Sequence, residues 1–216
     1  MKFQKYMAVG ILGLTMALGF SGCQSENQKN QDAYRKIGIN SMAEGDYDKA
    51  VKSFQKALDT SLGKIGAEEI DICYYKAAAQ FAKKDYDGAI ETYTSLIDYD
   101  KENANAYYLR GSVYLDTDKK DKAFKDYKNA VKYAGREYEI YEGIYENLTN
   151  KGETEEAKNY LKKALDIKPK DGADYAEQGH VYYLLEDYTQ AKSSLDRSID
   201  KDDKTICKHT EKLRQI

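Results

Sequence analysis

Residues 46–54 (DYDKAVKSF) and residues 85–93 (DYDGAIETY) share one pattern: an acidic-Tyr-acidic block, then Ala, then an aromatic residue four positions later. Three looser copies of the pattern follow along the chain. The alanines of the five copies are separated by 39, 34, 34 and 34 residues, and they are Ala50, Ala89, Ala123, Ala157 and Ala191. A period of 34 residues that occurs three times in succession predicts an array of equivalent structural units.

The residues around these copies indicate that each unit is a pair of helices. Small residues such as alanine are needed where two helix axes approach to about 8–10 Å. Gly45 and Gly152 precede two of the copies, at places where glycine can adopt the left-handed conformation that ends a helix. Each is followed by an acidic residue suited to a helix start, Asp46 or Glu153. The only proline, Pro169, lies between two units, where its ring interrupts no helix.

This pattern resembles the tetratricopeptide repeat (TPR), which places a large residue, Gly or Ala, and Tyr on a first helix and Ala, an aromatic residue and Ala on a second. The third copy matches it with Tyr107, Gly111, Tyr114, Ala123, Tyr127 and Ala130, and the fifth with Tyr175, Gly179 and Tyr182. Three residues depart from the pattern. Ser41 replaces the tyrosine of the first copy, Cys73 takes the large position of the second, and Tyr145 takes the small position of the fourth.

The resemblance implies an all-α fold, a TPR-type α-solenoid in which helix-turn-helix repeats form a right-handed superhelix. Five repeats are predicted within residues 31–203, and their approximate ranges are 31–69, 70–103, 104–137, 138–171 and 172–203. The first is longer, so we expect a loop around residues 61–67, where Gly63 and Gly66 lower the helix propensity. A C-terminal capping helix is predicted at residues 204–216, with Ile206, Leu213 and Ile216 covering the apolar face of the last repeat.

The N-terminal segment is typical of an exported protein. Lys2 and Lys5 precede an uncharged apolar stretch from Met7 to Phe20, which is shorter than the roughly 20 residues of a membrane-spanning helix. The sequence Phe20-Ser21-Gly22-Cys23 resembles the lipobox of bacterial lipoproteins. It implies a signal peptide at residues 1–22, lipid attachment at Cys23 and an extracytoplasmic location at the membrane; the alternative is an ordinary signal peptide with a chance cysteine. Residues 23–30 are predicted to form a flexible tether, because Gln24–Asn30 contains no apolar residue.

Several function classes find no support in the sequence. The chain contains 34 basic and 37 acidic residues, and so small a net charge, −3, argues against binding of nucleic acid. His180 and His209, the only two histidines, do not occur in a metal-ligand spacing. The chain also lacks a Gly-x-Ser-x-Gly elbow, a phosphate-binding glycine loop and a dinucleotide fingerprint. We therefore predict no catalytic residue, metal or cofactor, and a protein that is not an enzyme.

The family resemblance implies a concave groove lined by the first helix of each repeat. Mapping the usual groove positions onto this chain selects aromatic residues in its middle and acidic residues toward the fourth repeat. The selected residues are Tyr74, Phe81, Tyr108, Leu115, Glu139, Glu142, Glu146, His180 and Tyr183. We hypothesise that they bind a peptide segment of another envelope protein, with the aromatic rings as anchors and the glutamates favouring basic residues. The alternative is that several rings only pack between helices and that the glutamates are an ordinary solvated face.

Two other functions remain open at this point. The 21 tyrosines could stack on sugar rings, which would make the chain a glycan-binding surface lipoprotein. The resemblance to other TPR lipoproteins also suggests an assembly factor for a secretion, pilus or cell-wall machine. The main hypothesis is a membrane-anchored, non-catalytic scaffold for protein-protein interaction.

Overall fold

The computed structural model describes residues 25–61, 63 and 65–201. In these residues the chain forms helices connected by short turns and contains no β-strand, so the predicted all-α solenoid fold is confirmed. The helices are α1 (Glu26–Glu44), α2 (Tyr47–Asp59), α3 (Ala67–Ala82), α4 (Tyr86–Tyr99), α5 (Ala104–Asp116), α6 (Lys120–Tyr133), α7 (Tyr138–Asn150), α8 (Thr154–Ala164), α9 (Gly172–Leu184) and α10 (Tyr188–Asp200).

Consecutive helices pack pairwise as five hairpins, α1–α2, α3–α4, α5–α6, α7–α8 and α9–α10. Gly45 and Gly152 end the first helices of the first and fourth hairpins with φ of 80° and 82°. The other three hairpins place Lys84, Asp118 and Glu186 in the left-handed region, at φ of 69°, 56° and 66°. A side chain at such a φ costs about 1–2 kcal/mol. The contacts of the hairpin must therefore offset that cost in three of the five turns.

A small residue on the first helix faces a large residue on the second in three hairpins. A Cβ atom added to Gly38 would lie 2.5 Å from Phe54 Cε1, and one added to Gly111 would lie 2.8 Å from Tyr127 Cε1. In the fifth hairpin, a Cβ on Gly179 would lie 2.9 Å from Leu195 Cγ. These glycines therefore permit the close approach of the two helices that the sequence pattern predicts.

The helices divide into two compact units, one ending at Tyr133 and the other beginning at Ala134. The first contains three hairpins, whose core includes Phe54, Ile72 and Tyr93. The second contains two hairpins, with buried residues such as Leu148 and Leu161. Tyrosine side chains fill much of each core. In a chain without tryptophan, they are the large aromatic residues of these cores.

One predicted boundary is wrong. Helix α1 begins at Glu26, so residues 26–30 are helical and do not belong to a flexible tether. The Ser25 side chain caps the helix by accepting a hydrogen bond from the Gln28 amide, at 3.2 Å. One turn later, Gln31 is buried and donates to Glu69 Oε1 on α3 at 2.8 Å. Residues 26–30 are exposed and contain nothing apolar to bury, so the Ser25 cap before them and the Gln31 contact after them are the contacts that fix this end of the helix.

The described residues between α2 and α3, which are 60, 61, 63, 65 and 66, are not helical, in agreement with the loop predicted around residues 61–67. The predicted signal peptide at residues 1–22, the lipid-attachment residue Cys23 and the capping helix at residues 204–216 lie outside the described residues. Among the helices that are described, none has the length and apolar character needed to cross a membrane.

Candidate functional site

The first helices of neighbouring hairpins contact each other through polar side chains in both units. In the first unit, Arg35 Nε on α1 donates to Asp71 Oδ2 on α3 at 2.8 Å. In the second unit, His180 Nδ1 on α9 donates to Glu142 Oε1 on α7 at 2.8 Å. The two pairs span 36 and 38 residues, which is about one repeat. In each unit, a polar contact therefore connects the first helices of two neighbouring hairpins.

Two of the predicted groove residues in the first unit are half-buried. The Tyr74 hydroxyl donates to Asn103 Oδ1 at 2.6 Å, and its ring lies 6.3 Å from the Tyr93 ring. The Phe81 ring packs edge-on against Tyr86 at 5.6 Å. Both rings pack against other residues of the first unit, so only part of the surface of each ring is accessible to another molecule.

Tyr108 and Leu115 were predicted to line the groove, and this prediction is wrong. Their exposures are 8% and 2%, so they belong to the core. The Tyr108 ring lies 6.3 Å from the Tyr127 ring of α6, and Tyr127 donates from its hydroxyl to Ser112 Oγ at 3.4 Å. Tyr108 therefore contacts the second helix of its own hairpin, and neither residue belongs to an open surface.

In the second unit, His180 is the centre of a cluster. The Glu142 carboxylate accepts the hydrogen bond from Nδ1 of the His180 ring. The Tyr183 ring is stacked on it, with centroids 6.5 Å apart and planes inclined by 13°. Tyr183 in turn contacts Tyr188, which is more than half exposed, at 5.8 Å. Of the predicted groove residues, Glu142, His180 and Tyr183 are thus brought together.

Glu177 completes this cluster and was missed by the sequence interpretation. One carboxylate oxygen each from Glu142 and Glu177 and one ring nitrogen of His180 lie within 4.8 Å of one another. Glu177 precedes His180 by three residues on α9, and residues at that spacing lie side by side on one helix face. That spacing was the available signal, but only the packing of α7 against α9 adds Glu142 to it.

The cluster contains more carboxyl groups than cationic groups. Burial raises the pKa of Glu177 to about 7, and Glu142 and Glu139 add to the effect. Burial acts to lower the pKa of His180, but its hydrogen bond to Glu142 and the nearby carboxylates outweigh burial and raise it. On α7, Glu139 is exposed and Glu146 is partly buried. We define the acidic surface as Glu139, Glu142, Glu146 and Glu177.

A second carboxyl pair lies in the first unit, between α1 and α3. Burial raises the pKa of Glu68 to about 7, and a hydrogen bond with Asp32 contributes in the same direction. Glu69 adds to this effect, whereas Arg35 opposes it. The hydrogen bond of this pair links two first helices.

Comparisons with known proteins agree with this architecture. A model described as "TPR repeat" matches residues 77–118, and a model described as "Tetratricopeptide repeat" matches residues 32–61, 104–136 and 146–171. No curated protein sequence matches the chain.

Solved structures share the fold at low sequence identity. The chain is similar to pilF of Pseudomonas aeruginosa, with 17% identity, a TM-score of 0.51, and coverage of 83% of this chain and 80% of that one. It is also similar to TTC0263, a thermophilic TPR protein of Thermus thermophilus, with 16% identity, a TM-score of 0.50, and coverage of 85% and 99%. The repeat models together match more than half of the residues, and three of the five hairpins have the repeat's small-to-large contact, so the chain belongs to the tetratricopeptide repeat family.

Proposed function

We propose that this protein is a non-catalytic, extracytoplasmic scaffold, anchored to a bacterial membrane by lipid at Cys23, that binds a basic peptide segment of another envelope protein. TPR proteins typically bind other proteins or peptides, and the fold therefore supports a protein partner. The observation that carries the proposal is the acidic surface of the second unit with Tyr183 beside it.

The charge of this surface favours a basic partner. Glu142, Glu146 and Glu177 all act electrostatically on His180, and Glu139 acts on Glu177. Arg136, just before α7, forms an ion pair with Asp174 and so does not neutralise this group. Complementary charge accelerates association and selects partners more than it adds affinity. Lysine or arginine side chains of an extended or helical peptide are the fitting complement.

Aromatic side chains beside the acidic surface supply apolar contact. Tyr183 is half-buried against His180, and Tyr188 keeps 57% of its surface exposed. Tyrosine is enriched at interfaces because its ring buries apolar area while its hydroxyl can still form a hydrogen bond. In the first unit, Tyr74 and Phe81 remain secondary candidates because they are half-buried.

The packing weakens the glycan-binding alternative. Its support was the number of tyrosines, yet Tyr93, Tyr127, Tyr138, Tyr141 and Tyr160 are all buried. Among the residues that the structure describes, only Tyr99 and Tyr188 are more than half exposed. Most rings therefore have a structural explanation, and an assembly role in an envelope machine remains compatible with a scaffold.

The test is site-specific photo-crosslinking in intact cells. A photoreactive amino acid replaces Tyr183, and the matched control replaces Asp196, which is exposed on the second helix of the same hairpin. We expect a discrete crosslinked protein from position 183 and none from position 196. Equal crosslinking at both positions would contradict the proposed surface.

Charge reversal tests the acidic contribution. The double substitution Glu139→Lys and Glu146→Lys should lower the crosslinking yield at position 183 by roughly threefold or more, because exposed charge pairs contribute about 0.2–1 kcal/mol each. The matched control reverses Glu155 and Glu156, which are exposed on α8. If the double variant Glu139→Lys and Glu146→Lys leaves the crosslinking yield unchanged, the proposal that the partner is basic is wrong.

A further inference from the structure

We propose that Glu142, Glu177 and His180 form a binding site for one divalent transition-metal ion, with Zn²⁺ as the best-matched probe. This inference does not rest on the proposed function, because an ion binds here without any protein partner. The site lies entirely within the second unit and uses residues of α7 and α9.

The donor atoms are of mixed type. Two carboxylate oxygens and one imidazole nitrogen are ligands that Zn²⁺ accepts, and three protein ligands leave a fourth position for water. Imidazole favours zinc and the later transition metals over Mg²⁺, which prefers oxygen ligands. The set therefore differs from an ordinary acidic cluster, which would offer oxygen alone.

The distances fit an ion with small adjustments. Two ligands that each lie about 2.1 Å from a tetrahedral zinc ion are about 3.4 Å apart. His180 Nδ1 and Glu142 Oε1 are 2.8 Å apart, so this pair has to open slightly. The Glu177 oxygen lies within 4.8 Å of both and approaches by rotation of a side chain that has three rotatable bonds. The ion takes the place of the Nδ1 proton, which is released to solvent.

Two further observations support a cation at this place. Glu177 and His180 are three residues apart on α9, so a regular helix presents both ligands on one face without distortion. In addition, the described residues donate no hydrogen bond to the Glu177 carboxylate, although it is largely withdrawn from solvent. The charged groups that act on it are Glu142, Glu139 and His180, and a dication would compensate this excess of negative charge.

Calorimetric titration of the full chain, purified in detergent, with Zn²⁺ tests the site. We expect one ion per chain to bind at the cluster, no comparable binding of Mg²⁺, and a rise of the unfolding temperature on addition of Zn²⁺. Glu177→Gln and His180→Ala should each weaken this binding by at least roughly tenfold, since even residues that only support metal ligands contribute that much.

Matched variants separate this site from other zinc ligands of the chain. His209→Ala removes the other histidine, and Glu155→Gln changes an exposed carboxylate of the same unit. Both should retain full binding. If His180→Ala fails to fold, as judged by circular dichroism, the isosteric Glu177→Gln decides. Zn²⁺ binding that neither Glu177→Gln nor His180→Ala weakens, or no binding at the cluster, would overturn the proposal.

Discussion

Arg110 on α5 forms a bidentate ion pair with Asp126 on α6, with Nε to Oδ2 at 2.7 Å and Nη2 to Oδ1 at 2.8 Å. The Asp126 side chain is only 4% exposed, and the same guanidinium donates to Thr94 Oγ1 of the preceding hairpin at 2.9 Å. It also lies near the rings of Tyr107 and Tyr114. One arginine therefore connects both helices of the third hairpin with the second hairpin.

Removal of Asp126 should destabilise the first unit. Asp126→Ala leaves the Arg110 guanidinium without its anionic partner in a largely buried position, and the expected loss is about 3–5 kcal/mol in the free energy of unfolding. Urea denaturation followed by circular dichroism measures it. Asp48→Ala, which breaks an exposed ion pair with Lys83 in the same unit, should change stability much less.

The ion pair itself should be replaceable. The double variant Arg110→Met and Asp126→Leu removes both charges together, so most of the stability lost in Asp126→Ala should return. A double variant as unstable as the single one would mean that the polar connection to Thr94 matters more than the charge balance.

The contact between Gly38 and Phe54 should tolerate no side chain. Gly38→Val places methyl groups where a Cβ alone would already lie 2.5 Å from the Phe54 ring, and we expect a loss of roughly 1–3 kcal/mol. The control is Asn40→Val, an exposed position of the same helix, which separates steric crowding from helix propensity. Thermal unfolding compares the two. Similar unfolding temperatures for both variants would show that α1 can move away from α2 without cost.

The stability of the first unit should fall as the pH rises. The pKa of Glu68 is raised to about 7 in the folded state, from 4.5, mainly by burial. The folded state therefore binds more protons between these values, and its stability decreases from about pH 4.5 to pH 7. Asp32 and Glu69 oppose ionisation of Glu68, and Arg35 favours it.

Glu68→Gln should flatten this dependence and make the protein more stable than the parent at pH 8, because a neutral side chain then occupies the site. Urea midpoints at pH 5 and pH 8 provide the measurement. Glu91→Gln, an exposed change on α4, serves as the control and should leave the difference between the two midpoints as it is in the parent. If Glu68→Gln also leaves the difference between the two urea midpoints unchanged, the pair of Asp32 and Glu68 has no role in the pH dependence.

Cys23 should determine membrane attachment. Cys23→Ser removes the thiol that a lipoprotein signal requires, so incorporation of labelled palmitate should stop and the protein should leave the detergent phase. The control Cys73→Ser changes a half-buried thiol within α3 and should retain the lipid. Continued labelling of Cys23→Ser would show that the lipobox resemblance is misleading.

The hairpin array could be predicted from the amino-acid sequence, because the contacts that define it are local. Gly38 and Phe54, or Gly111 and Tyr127, are separated by half a repeat, and the helical period together with the short turn between the two helices brings each pair together within one hairpin. The 34-residue repeat and the turns at Gly45 and Gly152 were also predictable, because they too depend on local sequence. The start of α1 was misplaced, because the capping of Ser25 and the contact of Gln31 with Glu69 replace the apolar pattern there.

Which residues share a surface could not be predicted in this way, because it depends on the packing between hairpins. Tyr108 and Leu115 occupy groove positions in the repeat pattern, but packing inside the hairpin buries them. Glu177 did not stand out in the sequence, yet it lies beside Glu142, which is 35 residues earlier in the chain. Such contacts depend on the rotation and separation of neighbouring hairpins, which side-chain packing sets to within an ångström and a repeat pattern does not encode. The fold was therefore predictable from local spacing, whereas the acidic cluster around His180 required the packed helices.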